Sequence, residues 1–256
     1  MNRINLAFEA ARHPLLNVYF TAGFPALDST RKVLRSLQAA GADMVEIGMP
    51  YSDPLADGTT IQESSTVALS NGMTIDVLFE QLEGMRLELD MPVILMGYIN
   101  PVMQYGVEKF LSKCAYVGVD GLILPDLPIE LFDAEYAPLL KKYSLDFIFL
   151  ITPETSEARI REIDSRASGF IYMVSSSATT GSTAGLSDEQ RQYFERVQQM
   201  RLKNPRMIGF GIHDSRTFRE ATQYAQGAIV GSAFIKQLAQ DDSSQAIEGF
   251  VSGMRG

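Results

Sequence analysis

The feature that most restricts this chain is a pairing that recurs eight times: a short, continuous apolar run, then a stretch with helical periodicity. The apolar runs fall at 16–21, 44–47, 92–96, 121–124, 146–151, 170–174, 207–209 and 227–230. Each is short and nearly continuous in Val, Ile, Leu or Met, the pattern of strands buried on both faces, as in a parallel sheet wrapped by helices. The helical stretches read as 28–40, with Asp28 or Ser29 as N-cap and Gly41 as stop, then 61–69, 75–89, 107–117 closed by Gly118, 131–143, 156–167 with Ser156 as N-cap, 188–202, 215–224, and from 233 to the end. A further short amphipathic helix is expected over 1–13, with Ile4, Phe8 and Ala11 on one face. Eight strand–helix units in 256 residues fit a single α/β domain, a closed (β/α)8 TIM barrel over 1–256. A doubly wound open sheet is the alternative, but the first turn, Ala22-Gly23-Phe24-Pro25, is not a dinucleotide fingerprint.

Charge and cysteine usage remove several functional classes. The net charge is −9 and the 22 Lys and Arg residues are scattered, so a nucleic-acid surface is not expected. Cys114 stands alone, which rules out an intramolecular disulfide and suits a reducing cytoplasm. Two histidines far apart, His13 and His213, give no basis for a histidine metal site. No targeting segment or membrane-length apolar run is present, so the expected location is the cytoplasm.

In such a barrel the chemistry lies at the C-terminal ends of the strands. The most informative stretch there is Val45-Glu46-Ile47-Gly48-Met49-Pro50-Tyr51-Ser52-Asp53-Pro54-Leu55-Ala56-Asp57-Gly58. Glu46 sits inside an apolar strand, where a carboxylate is costly unless it has a partner or a task. Asp57 follows eleven residues later on the loop, and two carboxylates across a cleft are a common way to run acid and base chemistry in one site. Other strand ends carry Tyr98 and Asn100, Asp126, Tyr172 and Ser175. The tyrosines either line a pocket or cap the core, and Asp126 is expected to support a loop by binding backbone N–H groups.

Gly209-Phe210-Gly211-Ile212 after the seventh run and Gly231-Ser232-Ala233 after the eighth place glycines and a helix start where this fold commonly holds phosphate. Thr180-Gly181 in the sixth loop could close on the same phosphate. That loop, 175–186, is rich in Ser, Thr, Gly and Ala and reads equally as a lid or as a plain surface loop. No strand end carries a lysine for Schiff-base chemistry or the histidines of a metal aldolase. General acid–base chemistry on a small phosphorylated molecule is what remains.

The stretch from Glu46 to Gly58 closely resembles the signature of the tryptophan synthase alpha subunit family. The similarity extends over essentially the whole chain, through Thr21-Ala22-Gly23-Phe24-Pro25, Gly118-Val119-Asp120-Gly121, Pro125-Asp126-Leu127-Pro128 and the two glycine motifs. The resemblance implies a lyase that reversibly cleaves indole-3-glycerol phosphate to indole and glyceraldehyde 3-phosphate by retro-aldol chemistry. It implies that Glu46 and Asp57 are the catalytic acids, with Glu46 moving protons and Asp57 holding the indole N–H. It further implies that phosphate lies on Gly181, Gly211, Gly231 and Ser232 beside Thr180. Tyr19, Met96, Tyr98, Leu150, Tyr172 and Phe210 are implied to line the indole pocket. No cofactor is implied in this chain. Pyridoxal phosphate would belong to a partner beta subunit in an alpha2-beta2 complex. A catalytically weak scaffold that activates a beta subunit, or another phosphate-binding barrel enzyme of aromatic amino-acid biosynthesis, is the alternative function.

Overall fold

The computed structural model describes residues 2–54, 57–175, 186–209 and 211–256. Its strands are β1 (Leu15–Thr21), β2 (Met44–Gly48), β3 (Val93–Met96), β4 (Gly121–Ile123), β5 (Asp146–Phe147), β6 (Phe149–Ile151), β7 (Ile171–Val174), β8 (Arg206–Gly209) and β9 (Gly227–Val230). All pairings are parallel and the spatial order is β5-β4-β3-β2-β1-β9-β8-β7-β6. The two outermost strands, β5 and β6, are consecutive in sequence and separated only by Ile148. Phe147 pairs with β4 and Phe149 with β7, while the Ile148 N–H still reaches the Leu122 carbonyl at 3.0 Å. The sheet therefore closes into the (β/α)8 barrel. The one strand expected over 146–151 is two pieces because its pairing passes from one neighbour to the other at Ile148.

Alternate residues of the strands fill the barrel. Leu15, Met44, Ile94, Ile123, Ile148, Phe170, Tyr172, Met207 and Ile229 form a buried cluster of their own. The opposite faces, among them Val18, Val45, Leu95, Leu122, Ile171, Ile208 and Val230, pack into the larger core under the helices. A period-2 strand buried on both sides explains why the runs are nearly continuous in apolar residues.

The N-terminal helix, Arg3–Ala10, seals the N-terminal mouth of the barrel. Ile4 is fully buried in the interior cluster, and Phe8 packs on Phe170 with ring centroids 5.9 Å apart. Asn2 caps the helix by accepting the Ile4 N–H and donates to the Asp120 carbonyl at 2.6 Å. The Asp120 carboxylate, itself buried, takes Arg3, Arg86 and the Val93 N–H.

Several helix boundaries move for local reasons. The stretch expected over 75–89 is helix Ile75–Leu82 and then a single 3-10 turn, Met85–Leu87, because Gly84 takes a left-handed conformation with φ 68°. The C-terminal stretch is two helices, Ser232–Gln240 and Ser244–Arg255, the second capped by the Ser243 hydroxyl. Helix Ile99–Tyr105, with Pro101 in its first turn, adds an element between the expected strand at 92–96 and the expected helix at 107–117. Proline is tolerated in a first turn, where its missing N–H would have no intrahelical acceptor.

Candidate active site

Glu46 points into the barrel from β2 and has no exposed surface. Its Oε1 accepts a 2.6 Å hydrogen bond from Asn17 Nδ2, donated across the interior from β1. Among the described residues, neither its Oε2 nor the Asn17 Oδ1 has a partner. Loss of hydration pushes the carboxyl up to about 8, against the weaker opposing effect of the Asn17 bond. At neutral pH Glu46 is therefore mostly a neutral acid with a proton to give.

Tyr19 lies on β1 in register with Glu46. Its hydroxyl occupies the space a Cβ would need at Gly48, and its ring lies against Gly231. Tyr172 on β7 stands in the same relation to Gly209 on β8. Glycine at these two inward positions is what lets large aromatic rings lie across neighbouring strands. Burial raises both phenols, and the charges of Glu46 and Asp57 raise them further, so both hydroxyls stay neutral donors beside the two acids. Met96 and Leu150 are half-buried and pack on the interior cluster next to them.

Asp57 stands on the loop after β2, partly buried, with the Tyr98 hydroxyl donating to its carboxylate. Loss of solvent raises its proton affinity, and the Tyr98 bond opposes this. Tyr98 is held in turn by a tilted ring contact with Tyr51, centroids 5.5 Å apart, and Asn100 donates to the Tyr51 hydroxyl at 3.0 Å. Asp126 accepts the Ile99 N–H through both carboxylate oxygens, at 3.0 and 3.2 Å. It thereby anchors the helix that follows Tyr98, the supporting part read for it in the sequence.

On the other side of Tyr19, Gly231 is the N-cap of helix Ser232–Gln240 and its carbonyl accepts the Ile235 N–H at 3.0 Å. The N–H groups of the first turn have no intrahelical acceptor and point out of the barrel rim beside exposed Ser232. Gly211 after β8 is exposed and takes φ 77°, a conformation that favours glycine. Thr180, Gly181 and Phe210 lie outside the described residues. The remaining ten expected residues all lie at the C-terminal end of one barrel, with the two acids on one side of Tyr19 and the helix start on the other.

A family model described as tryptophan synthase alpha chain matches residues 7–252. The chain belongs to that family. The tryptophan synthase alpha chain of Christiangramia forsetii is 54% identical over 244 residues, 95% of each chain, and that of Flavobacterium johnsoniae is 52% identical over 255 residues, the full length of both. Among solved structures, tryptophan synthase subunit alpha from Legionella pneumophila superposes with a TM-score of 0.90 at 35% identity, covering 100% of this chain and 97% of that one. A chain of Mycobacterium tuberculosis tryptophan synthase in an aminoacrylate-bound form gives 0.87 at 26% identity, covering 100% and 98%. As a tryptophan synthase alpha chain, the protein is an indole-3-glycerol-phosphate lyase of tryptophan biosynthesis. An alpha chain implies a beta-subunit partner, and the alpha family works without a resident cofactor.

Within this alpha-chain site, the sequence reading missed Asn17. The available signal was a lone amide at an inward position of an otherwise apolar strand. It also gave no reason to single out Gly48 and Gly209, whose role is to leave room for two tyrosine hydroxyls.

Proposed function

We propose that Glu46 alone handles both proton transfers of the cleavage, and that Asp57 holds the indole N–H. Protonated Glu46 gives its proton to indole C3, which leaves a cationic indolenine that still carries its N–H. Asp57, ionised, accepts that N–H and stabilises the positive charge. The Glu46 carboxylate then takes the proton of the side-chain hydroxyl next to C3. The C–C bond breaks, its electron pair returns to the ring, and indole and glyceraldehyde 3-phosphate result. Protons balance, because the one given is the one regained. The observation that carries this reading is the state of Glu46: buried, held among the described residues by one neutral donor, Asn17, and shifted to about 8, so that the acid form dominates at neutral pH.

The phosphate is assigned to the N–H groups around Gly211, Gly231 and Ser232 with Thr180 and Gly181. The indole ring is assigned to the space between Tyr19, Met96, Tyr98, Leu150, Tyr172 and Phe210. We further assign the chain to a cytoplasmic alpha2-beta2 complex, with pyridoxal phosphate held only by the beta subunits. Among the described residues no helix is long and apolar enough to cross a membrane. The test is release of glyceraldehyde 3-phosphate from indole-3-glycerol phosphate by the purified chain, alone and with a beta subunit. Slow release that rises many-fold with the partner is expected. No release in either condition would leave only a scaffold that activates the beta subunit.

A further inference from the structure

The end of the barrel opposite the acids holds a second concave site. A cavity of about 830 Å³ opens between the segments that lead into β1, β8 and β9. Four Lys or Arg residues line it, Arg12, Arg201, Lys203 and Arg206, together with His13, against one acid, Glu9. On a chain of net charge −9 this is a local reversal of sign.

Arg206 is the decisive member. It is only 8% exposed, yet among the described residues its guanidinium has no hydrogen-bond or ion-pair partner, and its Nε is fully shielded from solvent. The acid that acts on it electrostatically, Asp164, is already engaged: its carboxylate accepts the N–H groups of Lys203 and Asn204 at 2.8 and 2.9 Å and the Asn204 side chain at 2.9 Å. A mostly buried guanidinium whose Nε has no partner is costly, and a bound anion is one way to meet that cost. The helix and loops around it are well fixed: Phe8 packs on Phe170, and the Arg206 N–H is tied to Gln226 Oε1 at 2.8 Å.

We propose that this cavity binds a small, multiply charged, phosphate-bearing anion, with Arg206 as the buried anchor and Arg12, Arg201 and Lys203 as the outer contacts. Its volume is in the range of small-molecule sites, and an Arg fork flanked by lysine suits phosphate oxygens. The catalytic face is a separate anion site, so the two must be resolved in one experiment. The probe is inorganic pyrophosphate, titrated into the full chain at 150 mM NaCl and followed by backbone amide NMR shifts.

Two saturable sets of shifts are expected: one at 211 and 231–234, the other at 12–13, 201–206 and 226. The double variant R201E/K203E, altered only at exposed positions, should weaken the second set at least tenfold and leave the first unchanged. R206M should abolish the second set, and its circular dichroism and unchanged first set would show that it folds. Shifts confined to 211 and 231–234 would overturn the proposal. So would a second set that citrate reproduces with equal affinity, since that is general charge attraction.

Discussion

Replacing Glu46 by Gln should do two opposite things: abolish cleavage and stabilise the fold in a pH-dependent way. The carboxyl ionises at 4.5 when solvated and at about 8 in the folded barrel. Below pH 4.5 it is protonated in both states and costs nothing. Between 4.5 and 8 the unfolded chain loses a proton that the folded chain keeps, so stability falls by about 1.4 kcal/mol per pH unit. Above pH 8 the loss levels off near 5 kcal/mol in this reckoning, and at pH 7 it is about 3 kcal/mol. Glutamine keeps the shape and can still accept the Asn17 bond, but has no proton to lose. E46Q should therefore exceed the natural chain in stability by under about 1 kcal/mol at pH 5, about 3 at pH 7 and between about 4 and 5 at pH 8.5. Urea unfolding of both proteins across that range measures the difference, and glyceraldehyde 3-phosphate release measures the activity. A stability difference that is flat with pH would refute the buried neutral acid, and substantial turnover by E46Q would remove Glu46 from the proton transfers.

Other expectations follow from the same geometry. The rate constant kcat/KM should fall as pH rises through about 8, as Glu46 loses the proton it must give. Asn17→Leu, which removes the hydrogen bond that holds that value down, should move this limb to higher pH; an unmoved limb would separate Asn17 from the chemistry. Asp57→Asn should lose most of the rate while a glycerol phosphate ligand still binds, and normal turnover would displace Asp57 from the mechanism. Tyr98→Phe should cost about tenfold in kcat at pH 7, the worth of one hydrogen bond to a charged group. An unchanged kcat would make that contact incidental. Gly48→Ala forces a methyl into the Tyr19 hydroxyl, so a loss of about 1–3 kcal/mol in thermal unfolding is expected, together with weaker phosphate-ligand binding through Tyr19 and Gly231. Unimpaired stability would mean that Tyr19 moves freely.

What the residues determined by themselves was the repeating plan and its reactive end. Nearly continuous apolar runs, each followed by a helical stretch, specify a parallel sheet covered by helices because every strand must bury both faces. An acid in such a run, followed by a glycine- and proline-broken loop with a second acid, marks a site on local cost alone. Local signals such as Ser156 before its helix and Gly118 after another also kept their meaning, since caps depend on neighbours in sequence. Tertiary structure decided what depends on partners far apart in the chain. The break at Ile148 exists because one strand must pair with two neighbours that no local pattern names. The helix after Tyr98 is anchored by Asp126, from the loop after β4. The proton affinity of Glu46 depends on closure of the barrel, which removes water and brings Asn17 within 2.6 Å. Glycines 48 and 209 acquire their purpose only when tyrosines from adjacent strands lie across them, and Arg206 becomes an anion anchor only once folding buries it without a partner.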